Sequence, residues 1–108
     1  MVKQGDIIKL NLSPTAGHEQ SGYRPAVVVS NDFAISKTNV VYVAPITNAI
    51  RQFPLHVPLD GRTKTTGEIL CEQVKAVDLN VRQFTHVERL PGDILEKVLT
   101  RVISCFDA

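Results

Sequence analysis

Residues 91–106 read PGDILEKVLTRVISCF, with apolar side chains at Ile94, Leu95, Val98, Leu99, Val102, Ile103 and Phe106. Offsets of four and five residues place all seven on one face of an α-helix. Pro91, whose missing N–H is harmless in a first turn, and Asp93, whose carboxylate meets the positive end of the helix dipole, mark the N-terminus. Upstream the pattern changes to short apolar runs. Gly5–Leu12 alternates imperfectly, Pro25–Ser30 is apolar up to turn residues, and Val40–Ile46 holds strand formers around Pro45, a residue suited to an edge, a bulge or a strand end. Phe53–Leu59 alternates between two prolines as an edge strand would. Glu68–Val77 is ambiguous between strand and helix, and the strand reading is preferred because its neighbours are short strands. Phe33–Asn39 reads as a connection, and Asn80–Leu90 as a loop or a short last strand. Several short strands followed by one amphipathic helix predict a mainly β fold, a small curved barrel or sheet with the helix laid against it.

Composition sets the outer bounds. The chain has 108 residues, 44% hydrophobic and 21% charged, which is one globular domain spanning 1–108 rather than disorder. Its apolar runs are too short to span a membrane and its N-terminus lacks a signal pattern, so a cytoplasmic protein without a membrane partner is expected. Twelve Lys+Arg against 11 Asp+Glu give a net charge of +1, which excludes a globally basic nucleic-acid binder and leaves only a local patch. Cys71 and Cys105 have neither CxxC spacing nor clustered histidines, so both are expected to be reduced core residues, with no metal and no cofactor.

The chemistry concentrates in residues 13–32, SPTAGHEQSGYRPAVVVSND, a Gly/Pro-punctuated polar loop running into an apolar strand. Binding and catalytic groups favour such loops. No phosphate-cradling glycine loop or nucleophile elbow is present, so an enzyme would work with side chains alone. RNA suits such a kit because it carries its own nucleophile, the 2′-OH. Cleavage then needs a group to take that proton, a cation for the charge gathering on phosphorus, and an acid for the departing oxygen. His18, Glu19, Arg24 and Glu72 supply those types, with Thr47 orienting. Plainer roles are open to each: Arg24 as a surface ion pair, His18 as a solvated side chain, Glu19 and Gln20 as loop ties, and Glu72 on the wet face of a strand or partly buried. Arg62 and Lys64 lie in the polar loop DGRTKTTG, which suits a grip on phosphates.

Together GDIIKLNLSPTAGHEQSGYRPAVVVSND, VAPIT and LDGRTKTTGEILCEQVKAVDL resemble, in order and over nearly the whole chain, the MazF/Kid (PemK) family of toxin endoribonucleases. The resemblance implies an SH3-like barrel with a C-terminal helix and a homodimer whose two copies build an RNA groove. It also implies metal-independent cleavage of single-stranded RNA to 2′,3′-cyclic phosphate and 5′-OH ends, and a cognate antitoxin with a disordered acidic tail. Carried over by position, Arg24 stabilises the transition-state phosphate and Thr47 ends the PIT motif. Glu19 and Glu72 join them as catalytic candidates, while His18, Gln20, Gln73, Lys75, Lys64 and Arg62 contact substrate. In Kid-like members the segment matching Leu70-Cys71-Glu72 reads Arg-Cys-Asp, an acid–base pair. Leu70 cannot donate a proton, so the Arg24–Thr47 arrangement of the MazF branch is implied instead, with Glu72 as a base or a loop-orienting group. Two other readings stand beside the ribonuclease: a non-catalytic CcdB-like poison that acts by protein contact, and a binding barrel that has lost activity.

Overall fold

A computed structural model describes residues 1–12 and 22–107. Its strands are β1 (Asp6–Asn11), β2 (Tyr23–Val28), β3 (Val40–Thr47), β4 (His56–Pro58), β5 (Glu68–Leu70), β6 (Lys75–Asp78) and β7 (Phe84–Arg89), with helices α1 (Asp32–Lys37) and α2 (Gly92–Ser104). All pairings are antiparallel, in the order β4-β5-β3-β2-β1-β7 with β6 also on β3, so the sheet curls in a barrel-like way without closing.

Both faces of this sheet are buried. Ile7, Val27, Ala44 and Ile46 pack with Leu90, Ile94 and Val98 under α2. Ile8, Leu10, Ala26, Val28, Val41 and Val43 pack on the other face with Ile35 of α1. Two-sided burial explains why strands β1 to β3 read as near-continuous apolar runs rather than strict alternations.

Pro45 stands within β3, opposite Ala26, rather than at a strand end. The Val29 N–H donates to the Tyr42 carbonyl at 2.9 Å, so even-numbered residues of β3 turn their backbone groups toward β2. Odd-numbered ones, Pro45 included, face the opposite edge. There β6 pairs only Val40–Val43 and β5 only Ile46 and Thr47. The proline's missing donor therefore falls in a gap of the ladder, and across that gap a 3₁₀ turn, Cys71–Gln73, splits the segment expected to be one strand.

Other expectations need correction. Phe33–Asn39 is largely helical: the Asn31 side chain caps α1 by accepting from the Ala34 N–H at 2.8 Å, and six residues are too few to show a period. For Asn80–Leu90, expected as a loop or a short last strand, the strand reading holds: β7 has nearly all its side chains exposed, so backbone pairing with β1 rather than an apolar face defines it. On α2 the predicted face is buried at Ile94 and Val98 and partly buried at Leu95, Leu99 and Val102, but Ile103 and Phe106 are exposed. Cys71 is in the core as expected, whereas Cys105 is exposed; both are free thiols.

Gly67 precedes β5 with φ +117°, and a Cβ there would lie 2.2 Å from the Thr47 carbonyl oxygen. Only glycine fits, and backbone rather than a flexible side chain would have to yield. Gly67→Ala should lower stability by about 2 kcal/mol or more, a fall in Tm on the order of 10 °C. Thermal unfolding followed by circular dichroism checks this; an unchanged Tm would show that the β3–β5 junction is not the close contact described.

Candidate active site

In an antiparallel sheet the end of β1, the start of β2 and the end of β3 share one edge, and that edge carries the polar groups. The Leu12 N–H donates to the Gly22 carbonyl at 2.9 Å, tying together the flanks of the 13–21 segment. Lys75 Nζ donates to the Leu12 carbonyl at 3.1 Å from β6. His18, Glu19 and Gln20 lie outside the described residues.

Arg24 is half-buried on β2 opposite Leu10. The β2–β3 register, Ala26 opposite Pro45, carried two residues outward brings Arg24 level with Thr47. Strand alternation turns both side chains to the face of Ala26, Val28, Val41 and Val43. Thr47 is buried, and its Oγ1 accepts the Ala49 N–H at 3.1 Å. The hydroxyl hydrogen thus remains for a further acceptor.

Two hollows flank this junction. One, of about 320 Å³, is lined by Thr47, Ala49, Arg51, His56, Leu70, Glu72 and Gln73. The other, of about 340 Å³, includes Lys9, Pro25, Asn48 and Lys64. Thr47, Glu72 and Gln73 therefore meet in one cleft, and Lys64 joins the neighbouring one. Leu70, where the resemblance would put an arginine in Kid-like members, forms an apolar wall.

Arg62 is placed elsewhere. Its guanidinium donates to Asp60 at 2.8–3.1 Å and to Asp93 at 2.8 and 2.9 Å, clasping the 60–67 loop to the start of α2. Asp93 is held below the usual carboxylate range by Arg62, and Asp60, hydrogen-bonded to the same side chain, falls to about 2. Glu88 pins the loop from the other side through the Lys64 and Thr65 N–H groups. With five guanidinium hydrogen bonds directed at carboxylates, Arg62 fits a loop clasp better than a phosphate grip.

Three groups that pattern reading did not assemble back the cleft. His56 Nε2 lies 2.8 Å from Glu72 Oε2 and Nδ1 lies 3.2 Å from Glu68 Oε1. Glu68 also accepts the Arg51 N–H at 3.0 Å and the Gln52 N–H at 3.3 Å. The Arg51 N–H, then the His56 ring and the Gln52 N–H, hold this buried carboxyl below its ordinary value of 4.5 against the opposing effect of burial. In FPLHVPL the alternation assigns His56 to the wet face with both prolines; the 3₁₀ turn carrying Glu72 covers it instead. The carboxylates stand on opposite sides of the ring, so the trio does not converge on a point as metal ligands would.

Residues 3–106 match the model of the PemK-like, MazF-like toxin of type II toxin–antitoxin systems. The chain belongs to this family. It is 36% identical over 105 residues to the endoribonuclease PemK of Escherichia coli, covering 94% of this chain and 79% of that one. To the endoribonuclease EndoA of Bacillus subtilis it is 33% identical over 103 residues, with 91% and 88% covered. MazF from Deinococcus radiodurans superposes with a TM-score of 0.90 at 28% identity, covering 97% of this chain and 96% of that one. The same protein in a MazE–MazF complex superposes at 0.83 with 28% identity, covering 97% and 95%. These likenesses bear out the PemK/MazF toxin fold and the endoribonuclease class. Among the described residues no helix is long and apolar enough to cross a membrane.

A carboxyl whose folded value is depressed adds stability that is fully present above its unfolded value and is lost as pH falls through the folded one. Glu68→Gln should therefore be about 1–3 kcal/mol less stable than wild type at neutral pH. The gap should narrow as pH drops below the ordinary 4.5. Urea unfolding at a series of pH values measures it; a gap that stays constant into acid would contradict the ionised, hydrogen-bonded Glu68.

Proposed function

We propose that this toxin, an endoribonuclease by family, cuts single-stranded RNA at the Arg24–Thr47 junction. The 2′-OH attacks the adjacent phosphorus, leaving a 2′,3′-cyclic phosphate and a 5′-OH end without a metal. The observation that supports this reading is the β2–β3 register, which continued outward sets the half-buried Arg24 level with the buried Thr47 on one sheet face, Thr47 lining the same cleft as Glu72. Arg24 supplies fixed positive charge where the phosphorane gathers negative charge, and the Thr47 hydroxyl donates to a phosphoryl oxygen. Among the described residues, Glu72 is the carboxylate that lines this cleft, placed to take the 2′-OH proton. Gln73 in the same cleft and Lys64 with Lys9 in the neighbouring hollow suit the flanking nucleotides, so a strand crossing both hollows presents its scissile phosphate between them.

The same reading extends to partners. A cognate antitoxin, as in the Deinococcus MazE–MazF complex, would silence the toxin, its acidic tail folding over the groove. Two copies of the chain form the working unit, and the site of action is the cytoplasm, where mRNA is exposed.

Purified protein incubated with a long single-stranded RNA in EDTA tests the proposal, with product ends mapped. Wild type should give discrete cuts with cyclic-phosphate ends. Arg24→Ala and Thr47→Ala should each slow cleavage by about a hundredfold or more while the fold is retained. Intact RNA with well-folded wild type would move the assignment to a toxin that acts by protein contact.

A further inference from the structure

The Glu68–His56–Glu72 line runs from the interior to the cleft surface. His56 and Glu68 side chains are 6% and 4% exposed, and Glu72, at 29%, opens into the cleft. Ionised carboxylates only accept hydrogen bonds, and a neutral imidazole has one N–H. Each ring nitrogen of His56 meets one carboxylate oxygen, Nδ1 at 3.2 Å and Nε2 at 2.8 Å.

Glu68 fixes the orientation of the ring. Already bonded to the Arg51 and Gln52 N–H groups, it is held as an acceptor, which fixes the ring's Nδ1–H toward it and turns Nε2 toward Glu72. Nε2 thus lies 2.8 Å from Glu72 Oε2. The other oxygen of Glu72 is left for the cleft. Phe53 closes the far side, its ring edge-on to His56 at 5.2 Å, and the His56 N–H donates to the Phe53 carbonyl at 2.8 Å. Both the ring and the 51–53 segment are thus set by the same carboxylate.

Resting on the reading of the cleft as the RNA-cleaving site with Glu72 as its base, we infer that His56, anchored by Glu68, is the residue that positions Glu72. In the step, the proton of the 2′-OH passes to the cleft-facing oxygen of Glu72, the O2′–P bond forms and the P–O5′ bond breaks. The departing O5′ takes a proton from solvent, and Glu72 returns its proton to solvent before the next turnover. His56 keeps Glu72 turned into the cleft throughout by holding its other oxygen.

The test combines single-turnover cleavage with binding of the same RNA made uncleavable by a 2′-deoxynucleotide at the cut. Glu72→Gln should lower the cleavage rate by about a hundredfold or more with Kd unchanged within about twofold. His56→Gln should lower the rate by roughly tenfold or more, again with Kd held. In the double variant His56→Gln should add nothing to the loss from Glu72→Gln, because it acts only through that side chain. Multiplying losses, or losses confined to Kd, would overturn the inference. The imidazole nitrogen NMR signals of wild type and Glu72→Gln test the pairing even where His56→Gln fails to fold: Nε2 should move and Nδ1 stay, and an unmoved Nε2 would overturn it. Wild-type cleavage with an inactive Arg24→Ala, beside fully active Glu72→Gln and His56→Gln, would refute this inference alone. Intact RNA with wild type would refute the cleft itself.

Discussion

Strand β3 carries three ladders, with β2 along one edge and β5 and β6 along the other, and Pro45 decides how that second edge is shared. A residue without an N–H facing that edge leaves a gap, and the chain crosses the gap as a 3₁₀ turn instead of one long strand. Most of the site's geometry follows. The turn lifts Glu72 out of the ladder toward the cleft, sets it over His56, and lets β5 restart the pairing so that Glu68 lies opposite Thr47.

The close approach of Gly67 to the Thr47 carbonyl, the depressed carboxyl of Glu68 and the burial of His56 are thus neighbouring parts of one arrangement at the end of β3. Buried charged groups of this kind are strongly destabilising when one partner is removed, so the chain retains a complete set. No buried side-chain polar atom among the described residues lacks a hydrogen-bond partner. The clasp of Asp60, Arg62 and Asp93 does analogous work at the surface, fixing the loop that carries Lys64 to the start of α2.

Much of this was legible in the sequence. The helix over 91–106 and the strands β1 to β4 follow from apolar spacing, because each presents a face or a run that the core must bury. The 3₁₀ turn was hidden because EILCEQVKAV has the composition of a strand and only its register against Pro45 breaks it. β7 was legible only as one of two alternatives because its pairing is made by backbone, which leaves no side-chain pattern to read. Arg24, Thr47 and Glu72 were singled out by the loop chemistry and the resemblance; Arg24 and Thr47 stand on strands β2 and β3, and Glu72 in the 3₁₀ turn. His56 and Glu68 were missed because a histidine between two prolines and a glutamate after a glycine have the look of exposed residues. The partners of His56 lie 12 and 16 positions further on, at Glu68 and Glu72, and are brought to it by tertiary folding alone.

The most direct measurement is amide chemical-shift mapping of the folded protein against an RNA oligonucleotide that spans a mapped cut and carries a 2′-deoxynucleotide there. The largest shifts are expected at Arg24 and at Thr47, Asn48, Ala49, Glu72 and Gln73, which line the two hollows at the end of β3. Shifts confined instead to the groove lined by Val81–Thr85, a hollow of about 470 Å³, with the end of β3 unmoved, would contradict the proposed site.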